Sequence, residues 1–287
     1  MPQHSIVVIG LPGSGKTTFL AALWHLISKR EIPTQLRLNS LVRGNQKHLN
    51  EIAERWRNAQ MQERTSLGGN QFVTISVLDT TGQPSTITFP DVQGEAYQKM
   101  WEDRECDREV AHTLGQGNVL LFIHATNIKA PHWVIDIATQ TRALGLPVEG
   151  GALVPWRPHL APTQVQAVGL LTLLTDGPLD SGPRRLAVML SAWDKANGEG
   201  LNPSNFLREK LPLLHQYLTT NPQQWDMRVY GVSAQGGDYD EVKVGAKPTK
   251  SAEDLRDLDK PSTRIDLTDG ASRSNDLTIP LAWLLSD

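Results

Sequence analysis

The segment from Gly10 to Thr17 has the residue types and spacing that bind phosphate. It reads Gly-Leu-Pro-Gly-Ser-Gly-Lys-Thr, follows an apolar run and precedes a stretch with helical periodicity, which is the context that makes this P-loop pattern meaningful. Backbone N–H groups of such a loop surround phosphate at a helix N-terminus, where unpaired donors and the helix dipole favour an anion. The residues predicted to bind the nucleotide here are Gly10, Gly13, Ser14, Gly15, Lys16, Thr17 and Thr18.

Two of these residues have distinct chemical roles. We expect the Lys16 ammonium to reach the β- and γ-phosphates, which also makes it a candidate catalytic residue. The Thr17 hydroxyl is expected to coordinate Mg²⁺. A P-loop alone does not distinguish a kinase, an ATPase and a GTPase, so a carboxylate for the metal is needed at the end of a neighbouring strand.

Two segments of the pattern Asp-x-x-Gly offer that carboxylate, one beginning at Asp79 and one at Asp91. Alternating apolar residues over 73–77 and 87–89, with turn residues between them, predict a β-hairpin that ends at Asp91. Asp79 would instead require a strand over 59–69, whose Gln, Glu, Arg and Gly content opposes one. We therefore favour Asp91 as the metal ligand.

The segment Ser-Ala-Trp-Asp-Lys over residues 191–195 follows an apolar run, where nucleotide sites of parallel sheets are assembled. The Asp194 carboxylate can accept both N1–H and N2–H of guanine, whereas adenine presents no such pair of donors. Asp194 would then select GTP, and its alternative role is a helix-capping or surface residue. Lys195, Ser233 and Ala234 complete the candidate base site, the last two through a backbone N–H to the guanine carbonyl.

The elements that must position these residues alternate between strands and helices. Apolar runs predict buried strands over 5–9, 118–124, 185–191 and 227–232. Helical spacing predicts helices over 16–28, 163–175, about 204–218 and 277–285, and a further helix that buries Leu49, Ile52, Ala53 and Trp56. We predict a three-layer α/β fold of the P-loop NTPase type, with a mainly parallel sheet, an antiparallel hairpin and helical insertions.

The chain is predicted to form one domain over 1–287, with two additions. Residues 127–181, between two predicted strands, are longer than one crossover helix requires and are interpreted as an insertion. Residues 236–276 contain 17 charged residues in 41 positions and are predicted to form a charged, mobile loop before the last helix.

Composition excludes several classes of protein. A net charge of -3 argues against a protein that neutralises nucleic-acid phosphates. One cysteine cannot form an internal disulfide, which fits the cytoplasm, and no apolar run approaches the roughly 18 residues of a membrane span.

The ordered set of Gly-x4-Gly-Lys-Thr, Asp-x-x-Gly, Trp-Asp-Lys and Ser-Ala over residues 10–236 resembles the translation-factor-related (TRAFAC-class) P-loop GTPases. The P-loop with its following Thr-Phe-Leu-Ala-Ala-Leu-Trp-His, Asp-Val-Gln-Gly-Glu and a closing Leu-Ala-Trp-Leu-Leu further resembles the bacterial "double-GTPase" group, which is associated with multi-gene conflict or defence systems. The resemblance implies a GTP-dependent switch that works with partner proteins. One departure is that Ser191 and Ala192 replace the usual Asn/Thr-Lys of the base-reading loop, which weakens the expected preference for guanine.

The resemblance also implies residues for hydrolysis. Thr65 is the best placed switch threonine for Mg²⁺, and the Gly94 N–H should meet the γ-phosphate. Glu95 occupies the position at which many related GTPases orient the attacking water with Gln, and Gln93 is the next candidate. Because a carboxylate repels the γ-phosphate, we predict slow turnover that rises when a partner or a second copy supplies a cation, unless Arg64 does so.

Three function classes remain open at this point. The first is a GTP-hydrolysing switch, the second a P-loop ATPase or kinase, and the third a binding module that nucleotide stabilises without turnover. A kinase would need an arginine-rich lid, and residues 127–181 contain only Arg142 and Arg157.

Overall fold

The computed structural model describes residues 5–62, 71–91, 94–131, 143–144, 157–196, 198, 200–240 and 249–286. Within these ranges, nine strands form a single sheet. The strands are β1 (Ser5–Gly10), β2 (Arg37–Arg43), β3 (Gln71–Leu78), β4 (Pro84–Asp91), β5 (Asn118–His124), β6 (Arg184–Ser191), β7 (Trp225–Ser233), β8 (Asp266–Thr268) and β9 (Arg273–Ser274).

The sheet has a parallel centre and antiparallel edges. Its strand order is β2-β3-β4-β1-β5-β6-β7-β8-β9. β1 pairs in parallel with β4 and β5, and β6 and β7 continue the parallel set. The antiparallel pairs are β2–β3 and β3–β4 at one edge, and β7–β8 and β8–β9 at the other. The carboxyl ends of all the parallel strands therefore lie together, where the segment from Gly10 to Thr17 leaves β1.

Helices cover both faces of the sheet. They are α1 (Lys16–Lys29), α2 (Gln46–Arg57), α3 (Gly94–Asp103), α4 (Arg108–Leu114), α5 (Thr163–Leu173), the single turn α6 (Trp193–Ala196), α7 (Pro203–Lys210), α8 (Pro212–Thr220), α9 (Lys250–Arg256) and α10 (Thr278–Leu285). Residues of α1, α2, α9 and α10 share one core, and residues of α3, α4, α5, α7 and α8 share the other. The predicted three-layer α/β fold is confirmed.

The central strand shows why its sequence is apolar throughout. Ile6 and Val8 of β1 lie in the core on one face, whereas Val7 and Ile9 lie in the core on the other. A strand that is covered on both faces has no solvent side for polar residues, so its apolar run is continuous. The same alternation holds in β5 and β6.

The hairpin is confirmed, but β2 beside it was not predicted. β3 and β4 pair along their whole length, from Gln71 with Asp91 to Leu78 with Pro84. In β2, the register shifts between Leu38 and Ser40 and again between Leu41 and Arg43. These irregularities break the two-residue alternation from which a strand is recognised in sequence.

Two other predictions need correction. The helix expected over about 204–218 is interrupted, because α7 ends at Lys210 and α8 begins at Pro212, which lacks an N–H and fits only the first turn of a helix. The segment 236–276 is not a loop throughout, since it contains α9, a 3-10 helix over Pro261–Arg264, β8 and β9. Although this segment is highly charged, a few of its apolar residues are buried in the core, among them Leu255, Ile265 and Leu267.

Residues 127–181 are described at 127–131, 143–144 and 157–181. They include α5, which connects the parallel strands β5 and β6 and packs in the core beside α3 and α8. None of the helices in the described ranges combines the length and the apolar character that crossing a bilayer requires.

Candidate functional site

The loop between β1 and α1 has a backbone that only glycine can adopt at two positions. Gly10 has a φ of +155°, and a Cβ there would lie 2.7 Å from the carbonyl oxygen of Phe122. Gly15 has a φ of +92°, and a Cβ there would lie 2.9 Å from Ser191 Oγ. The strained backbone and the close neighbours together explain why glycine is required at each position. The loop is therefore pressed against the ends of β5 and β6.

The Lys16 ammonium is held inside the loop. Its Nζ donates to the carbonyl oxygens of Gly10 at 2.6 Å and Leu11 at 3.0 Å, and lies 3.3 Å from Ser14 Oγ. The same Nζ lies 5.6 Å from the centre of the Tyr97 ring, a favourable cation–π geometry. The loop carbonyls thus fix the charge of Lys16 among the residues predicted to bind phosphate.

Tyr97 connects the loop to α3. Its hydroxyl donates to the carbonyl of Val8 at 3.0 Å, and the side chain is buried. Gly94 and Glu95 form the start of the same helix, one turn before Tyr97. The helix predicted to contain hydrolytic residues therefore begins close to the phosphate loop.

Ser191 connects the loop to the end of β6. Its hydroxyl donates to the carbonyl of Ser14 at 2.8 Å, and both side chains are buried. The next residue, Ala192, has a φ of +53°, which turns the chain sharply into α6. In the sequence, Ser191 was notable only as a departure from related GTPases, and its contact with the loop was not foreseen.

One cleft of about 120 Å³ joins the loop to the predicted base site. Gly13, Gly15 and Thr18 of the phosphate loop line it. Asp194, Ser233, Ala234 and Gln235 line it as well. The structure therefore brings together residues that the sequence reading had grouped from three separate segments, and adds Gln235.

Lys195 lies outside the lining of this cleft. Its Nζ forms an ion pair with Asp238 Oδ1 at 2.5 Å, and the hydrogen bond to that carboxylate raises the pKa of Lys195. Both side chains are exposed, so the pair contributes little to stability. Its predicted role in base binding remains a prediction.

His124 at the end of β5 lines the cleft. Its Nδ1 lies 3.2 Å from Thr126 Oγ1. Burial lowers the pKa of His124, and the positive charge of Lys195 lowers it further. The imidazole is therefore neutral at pH 7 and does not add a positive charge to the cleft.

The two Asp-x-x-Gly candidates lie at opposite ends of the β3–β4 hairpin. Asp91 is the last residue of β4, which runs parallel to β1, so it lies at the end of the strands from which the phosphate loop leaves β1. Asp79 follows β3 at the opposite end, and its Oδ1 accepts hydrogen bonds from Thr81 N at 2.8 Å, Thr81 Oγ1 at 2.7 Å and Gln83 N at 2.8 Å. The Thr81 hydroxyl is the main cause of the lowered pKa of Asp79. The Asp79 carboxylate thus stabilises the turn between β3 and β4.

The structure describes Thr17 among the remaining predicted residues. Thr17 lies half-buried in the first turn of α1. Arg64, Thr65 and Gln93 lie outside the described residues. Among the side chains that are described, no group of three or more His, Cys, Asp or Glu is arranged to hold a metal ion.

The sequence matches the model of one protein family, described as Double-GTPase 1, over residues 7–284. No curated protein matches the chain significantly.

Several solved structures are similar at low identity. The bacterial selenocysteine-specific elongation factor EF-Sec is 12% identical with a TM-score of 0.38, over 82% of this chain and 27% of that protein's length. The signal recognition particle receptor SRb-GTP/SRX complex from Chaetomium thermophilum is 11% identical with a TM-score of 0.38, over 89% of this chain and 96% of the other. The GTP-bound Ski7 GTPase-like domain of S. cerevisiae is 13% identical with a TM-score of 0.39, over 89% of this chain and 49% of the other.

Proposed function

The chain belongs to the Double-GTPase 1 family, and from this premise we propose that it is a molecular switch that binds GTP and hydrolyses it with Mg²⁺. The observation that carries the proposal is one cleft that is lined by residues of the phosphate loop, by Asp194 and by the segment 233–235. A nucleotide that spans this cleft would place its phosphates against the N-terminus of α1 and its base beside Asp194. The site would therefore read both ends of the same ligand.

Guanine is the base that this arrangement fits. The carboxylate of Asp194 is an acceptor, and N1–H and N2–H of guanine are two adjacent donors that one carboxylate can bind together. A backbone N–H of the segment 233–235 would bind the guanine carbonyl. Adenine has an acceptor at N1 and an amino group at C6, so it satisfies neither contact.

Mg²⁺ fits the oxygen donors near the loop. The Thr17 hydroxyl lies in the first turn of α1, and Asp91 ends the neighbouring parallel strand β4. Hydroxyl and carboxylate oxygens are the ligands that Mg²⁺ prefers, and the bound ion would neutralise charge on the β- and γ-phosphates. Lys16 would share that task from within the loop.

Hydrolysis is proposed to be slow in the isolated protein. Gly94 and Glu95 begin α3, which Tyr97 anchors beside the loop. A glutamate at this position offers no hydrogen-bond donor to the transition state and repels the γ-phosphate. We expect a partner protein, or a second copy in a nucleotide-dependent dimer, to supply the missing cation in the cytoplasm. The family resemblance favours a partner encoded in a bacterial conflict or defence system.

Single-turnover hydrolysis of GTP and of ATP, each with Mg²⁺, tests the function. GTP should be bound more tightly than ATP and should be cleaved. Tighter binding of ATP would replace the GTPase with an ATPase, and binding of GTP without cleavage would leave a nucleotide-stabilised module. Turnover that rises with protein concentration would support the dimer, and fast turnover that is independent of concentration and survives Glu95→Ala and Arg64→Ala would contradict the incomplete site.

A further inference from the structure

Three contacts hold the loop from Ser233 to Gly236, one within the loop and two with other parts of the chain. Ser233 Oγ accepts a hydrogen bond from the N–H of Gly236 at 3.1 Å, which closes the loop on itself. The carbonyl of Ala234 accepts a hydrogen bond from Trp56 Nε1 at 2.7 Å. Gly236 has a φ of +77°, and a Cβ there would lie 2.4 Å from the carbonyl oxygen of Arg264. The loop therefore has little freedom to move.

Trp56 is itself fixed in position. Its side chain is fully buried at the end of α2. The guanidinium of Arg264 lies 3.8 Å from the centre of the indole, and the ring of His25 lies 5.0 Å away. Arg264 also donates to the carbonyls of Trp56, Arg57 and Leu255. The indole is therefore packed between α1 and the 3-10 helix over Pro261–Arg264, which hold the ring in place.

The direction of that N–H determines a peptide plane in the cleft. In a trans peptide, the carbonyl and the following N–H point in opposite directions. The carbonyl of Ala234 points toward buried Trp56, so the N–H of Gln235 points away from Trp56, and both residues line the cleft. A rotation of this peptide would remove a backbone donor from the base site.

We propose that Trp56 is a positioning residue for base recognition, whose indole N–H holds the Ala234–Gln235 peptide so that the loop presents its backbone donors to the guanine carbonyl. This assignment rests on the proposed GTP site. Trp56 acts only through Ala234 and does not contact the nucleotide. The consequence is that specificity for guanine depends on a helix, α2, that lies on the other side of the loop from the ligand.

The substitution Trp56→Phe removes the N–H and retains an aromatic ring beside Arg264. The readout is the affinity for three nucleotides. Compared with GTP, 6-thio-GTP has a weaker acceptor in place of the guanine carbonyl, and ITP lacks the amino group that Asp194 would bind. The preference for GTP over 6-thio-GTP should fall about three- to tenfold, the range of one hydrogen bond. The preference for GTP over ITP should not change.

Trp24→Phe is the matched control. Trp24 lies in the same core at 5% exposure, and its Nε1 donates to Asn50 Oδ1 at 2.9 Å, away from the cleft. It should leave both preferences at wild-type values. An equal loss of the 6-thio-GTP preference in the two variants would show a general structural effect and overturn the assignment.

Two further outcomes complete the test. If Trp56→Phe does not fold, Gly236→Ala displaces the loop from the Arg264 side and should lower the same preference, and an unchanged preference in whichever variant folds overturns the assignment. Absence of GTP binding by the wild type would overturn the proposed function, and the role of Trp56 with it.

Discussion

The two ends of the nucleotide cleft are built in different ways. At the phosphate end, residues 10–18, the loop closes largely on itself, since Lys16 bonds to carbonyls only six and five residues earlier. At the base end, Asp194 and residues 233–235, the backbone is held by Trp56, which is 178 residues distant in the sequence. The phosphate end combines these local bonds with one from Ser191 Oγ to the Ser14 carbonyl, whereas the loop at the base end is held by a side chain of another helix.

Because of this difference, phosphate binding and the preference for one base should respond to different mutations. The phosphate loop bonds to its own carbonyls and to Ser191, so it should keep its site as long as β1, α1 and β6 are formed. A loop whose shape depends on α2 and the segment 249–264 responds to any change in their packing. We therefore expect mutations in the core beside α2 to change which base is preferred before they change whether phosphate is bound.

The largest expected effect is the loss of the phosphate end. Lys16→Ala removes the charge held inside the loop, and the nucleotide affinity should fall by about 4 kcal/mol, close to a thousandfold. Circular dichroism should remain that of the wild type. Lys47→Ala is the matched control, because that lysine is exposed on α2 and pairs with Glu51 outside the cleft. Equal calorimetric affinities for Lys16→Ala and the wild type would falsify the P-loop assignment.

The second effect concerns Asp91, the carboxylate that is expected to bind the metal. Asp91→Ala should reduce Mg²⁺-dependent GTP hydrolysis about a hundredfold or more, because a metal ligand stabilises several kcal/mol of transition-state charge. Asp79→Ala should retain hydrolysis near the wild-type rate, since the Asp79 carboxylate accepts hydrogen bonds within the turn that joins β3 and β4, at the opposite end of the hairpin from Asp91. The reverse ranking would show that the metal carboxylate had been assigned to the wrong Asp-x-x-Gly.

The same contrast explains what could be predicted from the sequence. The P-loop and the buried strands lie in consecutive residues, so their patterns are complete within a short window. The burial of Trp56 was also predicted, because Leu49, Ile52, Ala53 and Trp56 follow a helical spacing and all four are buried.

What could not be predicted depends on contacts between distant residues. The partner of the Trp56 N–H is the carbonyl of Ala234, directly after β7, and no sequence periodicity indicates such a pairing. Arg264 belongs to a segment whose high charge content suggested a solvated loop, yet its guanidinium is buried against Trp56. Average composition cannot reveal which charged residues a core encloses.

The third effect tests the base end directly. Asp194→Asn replaces one acceptor of the carboxylate with a donor, so GTP affinity should fall by about 2 kcal/mol, roughly thirtyfold. Xanthosine triphosphate, which has a carbonyl in place of the amino group, should gain affinity. Affinity for inorganic tripolyphosphate, which contacts the phosphate end alone, should not change. A parallel loss of tripolyphosphate binding would show that the two ends are not separable.

The smallest effect is a dependence of stability on pH that arises beside the base end. His25 lies in α1 against Trp56, its Nε2 lies 3.0 Å from Glu31 Oε1, and Arg264 and Lys29 add positive charge nearby. Burial lowers the pKa of His25 below 6.5, outweighing the opposite effect of Glu31. Between that lowered pKa and about 6.5, the unfolded chain binds a proton that the folded chain does not, so stability is complete above this window and falls as the pH decreases through it. The slope due to one histidine cannot exceed about 1.4 kcal/mol per pH unit.

Urea denaturation from pH 7.5 to pH 5 measures this slope. His124, whose pKa burial also lowers, contributes with the same sign, so the informative quantity is the difference between the wild type and His25→Gln. His25→Gln should have the shallower slope, whereas His112→Gln, which changes an exposed residue on α4, should retain the wild-type slope.

Because the proton enters beside Trp56 and not beside Lys16, acid should also lower the preference for GTP over 6-thio-GTP before it lowers tripolyphosphate affinity. If both decline together at every pH, the scaffold of the base end is not separately sensitive, and the two ends respond as one unit.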